Sequence, residues 1–228
     1  MTLILPHKVS VIDAPYIVVC EGFGDACLVA KLLEHRAIQN CRVGCPSRAG
    51  VGGEGKDFLD KYLDAIALVA ANQTTRILRG ILVMVDADDD PGKAFDLACE
   101  ALTFAEFPAP DAQFALHQVG DLRTAVYLVP GLGETGTLEH LLLLSALEKA
   151  PASGVCVDAF LGCVGKTPAN EPNVLAKMKM SALVAASNPR NPWATPGPLL
   201  QSSKSNLIPI DSPHFKHLGD FLAEFCAE

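Results

Sequence analysis

Short apolar runs alternate along the chain with longer segments that carry apolar residues at helical spacing. Residues 16–20, 80–85 and 125–129 are mostly apolar runs of strand length. Runs that are apolar on both faces are typical of buried strands in parallel sheets. Each run is followed by a turn and a helical pattern, which predicts helices over residues 26–36, 92–106 and 137–149. This alternation predicts an α/β fold with a mainly parallel central sheet flanked by helices.

The remaining segments complete the predicted layout. Residues 41–45 are predicted to form a further strand, and residues 111–124 favour a short hairpin. Residues 188–205 contain four prolines and the single tryptophan, Trp193, which favours a functional loop or lid. The absence of a repeat or a clear linker predicts one domain over 1–228, with a core at about 15–150 and a C-terminal extension at 151–228. Further helices are predicted over residues 57–71, 174–186 and 215–225.

Acidic residues cluster where three of the predicted strands end. Asp86 and Asp88 follow the 80–85 run and, being two residues apart, point the same way in extended chain. In a parallel α/β sheet the three strand ends lie along one edge. Like charges at close range repel unless a cation lies between them, so the pattern predicts a site for a hard cation such as Mg²⁺. The other acids follow the first and third runs: Glu21, Asp25, Glu134 and Glu139.

Simpler explanations compete at each of these positions. The acidic segment 86–92 can be a turn with a helix cap, because Asp favours both. Asp25 can be a plain negative charge at a helix N-terminus. His140 can be a ligand or a base, but surface helical histidines are commoner. The glycine-rich stretch 47–56, which ends at Lys56, either cradles phosphate or is a mobile surface loop.

Composition narrows the classes of partner and compartment. Half of the chain is apolar and 19% is charged, which supports a substantial core. The net charge is −8, whereas nucleic-acid-binding proteins are usually basic. Binding to nucleic acid would therefore need a local basic patch or a metal-bridged phosphate. The eight cysteines lack zinc-ligand spacing and are interpreted as reduced core residues of a cytoplasmic protein. No apolar run approaches about 18 residues, so no membrane span is expected.

The order of these motifs resembles the Toprim domain of topoisomerases, primases and nucleases. The matching residues are 18–22, Val-Val-Cys-Glu-Gly, and 85–88, Val-Asp-Ala-Asp. Glu21 and Asp25 form Glu-x-x-x-Asp, which is similar to the variant in OLD-family nucleases. Residues 130–139 and 213–222 resemble a family of small standalone Toprim-like proteins. The resemblance implies a Rossmann-like Toprim fold whose acids hold one or two Mg²⁺ or Mn²⁺ ions for phosphoryl chemistry.

The resemblance also implies roles for the acidic residues. Asp86 and Asp88 would be primary metal ligands. Glu21 would be a ligand or a general acid/base, and Asp25 would bind a second metal ion, as in the nuclease variant. Glu139 is placed with the metal ligands because it follows the third strand.

A downstream lysine near the scissile phosphate completes the site in OLD-type nucleases, and Lys177 or Lys179 could take that place. The chain has no Walker motif, so the ATPase that accompanies OLD nucleases would be a protein partner supplied in trans. Basic residues near the motifs could bind backbone phosphates or be solvated surface: Arg36, Arg42, Arg48, Lys56 and Lys93.

Three functions remain open after this comparison of motifs. The first is Mg²⁺- or Mn²⁺-dependent phosphodiester hydrolysis on DNA or RNA. The second is metal-dependent chemistry on a small phosphorylated substrate, which the acidic net charge favours. The third is a non-catalytic Toprim module that binds a partner, which acids paired with Lys93 or Arg48 would favour.

Overall fold

Among the described residues, five strands form one sheet. The computed structural model describes residues 11–49, 55–75, 77–165, 171–188, 190–192, 194–201 and 207–227. The strands are β1 (Tyr16–Cys20), β2 (Cys41–Gly44), β3 (Gly80–Asp86), β4 (His117–Val119) and β5 (Leu122–Val129), in the order β2-β1-β3-β5-β4. Only β4 is antiparallel, and it pairs with β5 at the edge of this sheet. The predicted α/β fold with a mainly parallel central sheet flanked by helices is confirmed.

Helices cover both faces of the sheet. Helices α3 and α4 pack on one face, and α1, α5, α7, α8 and α9 pack on the other. None of the helices within the described ranges is long and apolar enough to cross a lipid bilayer. Short 3₁₀ turns lie at Lys56–Phe58 and Pro213–Phe215. The helices are α1 (Phe23–His35), α2 (Pro46–Ala49), α3 (Leu59–Asn72), α4 (Pro91–Phe104), α5 (Leu138–Lys149), α6 (Pro151–Cys163), α7 (Pro172–Ser187), α8 (Pro196–Gln201) and α9 (Lys216–Phe225).

Side chains of the central strands alternate between the two cores. Val18 of β1 and Leu82 of β3 pack with α1 and α9, whereas Ile17 and Val83 pack with α3 and α4. Every one of these side chains is fully buried. A strand that is buried on both faces needs apolar residues at consecutive positions, which explains the continuous runs in the sequence.

Parallel pairing brings the carboxyl ends of the strands to one edge. Cys20, the last residue of β1, lies opposite Met84, and Asp86 at the end of β3 lies opposite Val129 of β5. The chain leaves this edge from all three strands and enters α1, α4 and α5. The residues that follow the strands therefore lie close together in space although they are far apart in sequence.

The C-terminal end of α9 contacts the sheet at the end opposite to the carboxyl ends of the parallel strands. Arg123 Nη1 donates to the carbonyl oxygens of Phe225 (2.7 Å) and Ala227 (2.9 Å), and Tyr16 Oη donates to Ala227 (3.0 Å). The Tyr16 and Phe225 rings meet edge to face with centroids 5.4 Å apart. Carbonyls at a helix C-terminus lack intrahelical partners, and a positive charge beside them is favourable. These contacts join α9 to the start of the sheet.

Two segments differ from the layout that the sequence predicts. Residues 188–205, predicted to be a loop, contain α8, and Gly197 of this helix lies against the Phe23 ring. Trp193 lies outside the described residues. Helix α6 was not predicted, because it buries only Val157 and Leu161 and otherwise consists largely of small residues that give no clear periodicity.

Candidate functional site

Asp86 links the end of β3 to the start of α5. Its Oδ1 accepts a hydrogen bond from the backbone N–H of Leu138 at 2.8 Å. Two residues later, Asp88 adopts a left-handed backbone with φ of 51°. Asp88 and Gly136 donate to each other's carbonyl oxygens at 2.8 and 2.7 Å. The loop after β3 and the loop before α5 are therefore joined by backbone hydrogen bonds.

Glu21 and Asp25 approach this junction from β1 and α1. Glu21 Oε2 accepts a hydrogen bond from the backbone N–H of Asp86 at 3.2 Å. Asp25 Oδ2 accepts one from the N–H of Gly22 at 3.2 Å, so this oxygen caps the start of α1 in addition to placing a negative charge at its N-terminus. The other oxygen, Asp25 Oδ1, is buried and has no hydrogen-bond partner within the described residues. Capping therefore explains the position of Oδ2 but not the burial of Oδ1 in a residue that is only 7% exposed.

The start of α5 contributes Glu139. The Thr137 hydroxyl donates to Glu139 Oε2 at 2.8 Å, and His140 Nδ1 accepts from the backbone N–H of Thr137 at 3.1 Å. His140 thus takes part in a helix cap, and this nitrogen is not free to be a ligand or a base. Glu134, in the same loop, is exposed. Of the acids that follow β5, only Glu139 belongs to the group around Asp86.

The pKa values show that these carboxylates interact. Burial, together with the charges of Asp25, Glu21 and Glu139, raises the pKa of Asp86 to about 9. Burial also raises the pKa of Asp25 to about 7, with Glu21 and Glu139 adding to the effect. The pKa of Glu21 is raised by burial and lowered in part by Lys56. Glu21, Asp25, Asp86, Asp88 and Glu139 are called the acid cluster below.

Lys56 reaches the acid cluster from the start of the 3₁₀ turn. Its Nζ donates to the carbonyl oxygen of Asp86 at 2.7 Å and to Asp88 Oδ2 at 2.5 Å. Glu21 Oε2 lies 3.8 Å away. The sequence offered Lys56 as a phosphate ligand or a solvated residue, whereas the structure pairs it with the acids. Residues 50–54 of the glycine-rich stretch and the side chain of Arg48 lie outside the described part.

Helix α7 approaches the acidic turn with one of its faces. Asn173 Nδ2 donates to Asp89 Oδ1 at 3.0 Å, and Asn173 Oδ1 is buried without a partner among the described residues. Lys177 follows Asn173 by one turn, and its charge lowers the pKa of Glu21. Lys179 instead forms an ion pair of 2.7 Å with Asp158 of α6. The charge of Lys177 therefore acts on Glu21, whereas Lys179 is paired with α6.

Asn173 was not identified as part of the site from sequence, and Lys56 was offered as a phosphate ligand or a solvated residue but not as a partner of the acids. The four-residue spacing of Asn173 and Lys177 could have indicated Asn173, because residues at this spacing share a helix face. Asp90, by contrast, behaves as the capping explanation predicts. Its Oδ1 accepts from the N–H of Lys93 at 3.0 Å at the start of α4, and the Lys93 side chain is not used in that bond.

The donor set of the acid cluster fits a hard divalent cation. The side chains of the acid cluster offer only carboxylate oxygens as metal ligands, and Mg²⁺ and Mn²⁺ prefer such ligands. An unpartnered, buried Asp25 Oδ1 is unfavourable unless a cation or a proton satisfies it. Across the described ranges, however, no group of three or more His, Cys, Asp or Glu side chains stands close enough to hold a metal ion. Binding would therefore require these carboxylates to turn toward a shared ion.

A comparison with protein-family models gives one match, over residues 15–227, to a family described as a protein of unknown function, DUF3226. The matched range includes the whole acid cluster and also α7, α8 and α9. No curated protein and no solved structure matches the chain.

Proposed function

Because the chain belongs to the DUF3226 family, whose description gives no activity, its function must be argued from the site, and we propose that it is a Mg²⁺- or Mn²⁺-dependent hydrolase of phosphodiester bonds in DNA or RNA. The observation that carries this proposal is the buried, unpartnered oxygen of Asp25 within a group of carboxylates at the carboxyl edge of a parallel sheet. Ligands of open α/β sheets bind at this edge. The Toprim resemblance of the motifs supports the same class of chemistry.

The acid cluster would hold the metal ion, which when bound supplies an activated water and charge neutralisation for the phosphate. Asp86 is oriented for this role by the N–H of Leu138, and Asp25 by the N–H of Gly22. Burial raises the pKa of Glu21, which suits a group that takes a proton from water and returns it to the leaving oxygen. Lys177, whose charge lowers the pKa of Glu21, would contact the anionic substrate.

A small phosphorylated substrate is the second candidate, and the net charge of −8 favours it over a long polyanion. The pairing of Lys56 with Asp88 supports the third candidate, a module that binds a protein partner without catalysis. A partner ATPase supplied in trans is compatible with the first and third candidates. None of the eight cysteines, all of which lie in the described ranges, forms a disulfide, and five are buried, which fits the proposed cytoplasmic location.

The test compares wild type with the variant Asp86→Ala/Asp88→Ala. Calorimetric titration with Mn²⁺ and Mg²⁺ is expected to show binding only in wild type. On the same samples, cleavage of plasmid and single-stranded DNA and RNA is expected to require metal and to fall at least about 100-fold in the variant. Asp96→Ala is the matched control, because Asp96 is an exposed carboxylate on α4 outside the acid cluster.

The outcomes separate the three candidates. Binding with metal-dependent cleavage supports the nuclease, and binding without cleavage of any nucleic acid favours a small substrate or a missing partner. A wild-type protein that binds neither ion would contradict the metal site itself, and the acids would then be turns and caps held together by Lys56.

The two lysines of α7 give a matched pair of variants. Lys177→Ala is expected to lower kcat/KM about 10- to 100-fold with little change in metal affinity, because it removes a charge that faces the site. Lys179→Ala is expected to stay within about twofold of wild type, because Lys179 pairs with Asp158. Steady-state kinetics with a fluorescent oligonucleotide measure both. Equal losses in the two variants would mean that α7 acts through stability instead of substrate contact.

A further inference from the structure

We infer that Lys56 is a built-in second cation of the acid cluster, so that the cluster binds one divalent ion beside the Lys56 ammonium group. This inference rests on the proposed function, because it assumes a divalent-ion site. It goes further by assigning the number of ions and the residues that hold each positive charge. The five carboxylates of the acid cluster divide between an outer part that contacts Lys56 and a buried inner part.

The outer part of the cluster surrounds Lys56 with oxygen atoms. An ammonium group has three N–H donors. Lys56 Nζ donates to the carbonyl oxygen of Asp86 at 2.7 Å and to Asp88 Oδ2 at 2.5 Å, and Glu21 Oε2 lies 3.8 Å away as an ion-pair partner. A backbone carbonyl and two carboxylates are also a set of ligands that a hard divalent ion accepts. The ammonium group therefore occupies the place that a second ion would need.

The position of Lys56 is fixed by more than these contacts. The residue opens the 3₁₀ turn that leads directly into α3, and α3 packs on the sheet through buried Leu59 and Leu63. The Lys56 side chain is only 16% exposed. A lysine held this way loses little further freedom when it binds, unlike a lysine on an open surface. It is also part of the chain, so chelators cannot remove it.

The inner part of the cluster lacks a positive charge. Asp25 is more than nine-tenths buried, and its Oδ1 has no hydrogen-bond partner within the described residues. Asp25, Asp86 and Glu139 each use one oxygen in a hydrogen bond with the start of α1 or α5. No lysine or arginine of the described residues forms an ion pair with any of these three carboxylates. The divalent ion would consequently be bound by Asp25, Asp86 and Glu139, whereas the main partner of Asp88 is the Lys56 ammonium group.

The experiment measures how many Mn²⁺ ions each variant binds. Calorimetric titration and the electron paramagnetic resonance of bound Mn²⁺ are recorded on wild type, Lys56→Gln and Lys93→Gln. Lys93 is the matched control because it is an exposed lysine close to the acids in sequence. Wild type and Lys93→Gln are expected to bind one ion. Lys56→Gln is expected to bind two, with the spin coupling of neighbouring Mn²⁺ ions, because the oxygen atoms around Lys56 become available.

A second pair of variants tests the division of the cluster without removing Lys56. Asp88→Asn is expected to keep one Mn²⁺ ion with less than a tenfold loss of affinity, because its main partner is Lys56. Asp25→Asn is expected to weaken binding at least about 100-fold, because it removes a ligand of the single ion. Circular dichroism confirms that each variant is folded, and this pair decides the question if Lys56→Gln does not fold.

The results separate the inference from the proposed function. Two ions in wild type, or one ion in both wild type and Lys56→Gln, would overturn the inference while leaving the metal-dependent site intact. Equal losses of affinity in Asp88→Asn and Asp25→Asn would also overturn it. A wild-type protein that binds no Mn²⁺ would instead refute the proposed function, and the inference would fall with it.

Discussion

Replacing Asp86 with asparagine is expected to stabilise the metal-free protein at pH 8 while removing its affinity for divalent ions. Burial and the neighbouring carboxylates raise the pKa of Asp86 to about 9 in the folded state. An unfolded aspartate has a pKa of about 4. Below pH 4 both states are protonated, so the folded protein has its full stability there. As the pH rises from about 4 to about 9, the unfolded state alone releases its proton and the free energy of unfolding falls.

Asparagine imitates the protonated carboxyl group but does not titrate. Its side-chain oxygen can still accept the hydrogen bond from Leu138, so the junction with α5 is retained. Each pH unit between 4 and 8 is worth about 1.4 kcal/mol, so the variant is expected to exceed wild type by up to about 5 kcal/mol at pH 8 and to match it near pH 4. Urea unfolding in buffer that contains EDTA measures the free energy of unfolding at both pH values. Adding Mn²⁺ is expected to narrow this difference, because binding stabilises only wild type.

Asp96→Asn is the control for this comparison, since it removes one carboxylate from the exposed side of α4. Its stability relative to wild type is expected to change little between pH 4 and pH 8. If wild type and Asp86→Asn respond alike to pH, the acids do not share a buried environment. The electrostatic basis of the candidate site would then be wrong.

Truncating Phe225 to alanine is expected to lower the free energy of unfolding by about 3–5 kcal/mol. The Phe225 ring is fully buried, packs against Tyr16 and lies next to Gly80, where an added Cβ would come within 3.0 Å of it. The neighbouring strands cannot collapse into the space that the ring leaves, so a cavity remains. The effect tests whether α9 is an integral part of the fold or a separable addition.

Phe104→Ala is the matched control, because the Phe104 side chain at the end of α4 is 63% exposed. Its stability is expected to stay within about 0.5 kcal/mol of wild type. Both are measured by urea unfolding followed by far-ultraviolet circular dichroism. A second, independent unfolding transition in Phe225→Ala, with the sheet still folded, would show that the C-terminal segment is not needed by the core.

Much of the fold could be predicted because its signals are local. The runs at 16–20 and 80–85 are apolar without interruption since both faces of β1 and β3 are covered, and the acids after them are visible in sequence. Parallel pairing of β1 and β3 is then enough to predict that Glu21 lies near Asp86. Helix α6 could not be predicted, because glycines at 154 and 162 and a mostly exposed surface remove the usual pattern.

The less predictable parts of the site depend on contacts between distant segments. Nothing near Lys56 in sequence indicates that it reaches Asp88, because that contact depends on how α3 packs on the sheet. Lys177 and Lys179 illustrate a different limit. Two residues apart on a helix, they point about 200° apart, so only one could face the acids, but the sequence could not say which. In the structure Lys179 pairs with Asp158, whereas the charge of Lys177 acts on Glu21.

The paired hydrogen bonds between Asp88 and Gly136 have an evolutionary consequence. They fasten two loops from different parts of the chain into one unit, and this unit positions Asp86 and Glu139. An insertion in either loop would displace carboxylates that belong to the other. The two loops are therefore expected to keep a fixed length in relatives that retain the site, or to change length together where the site has been lost.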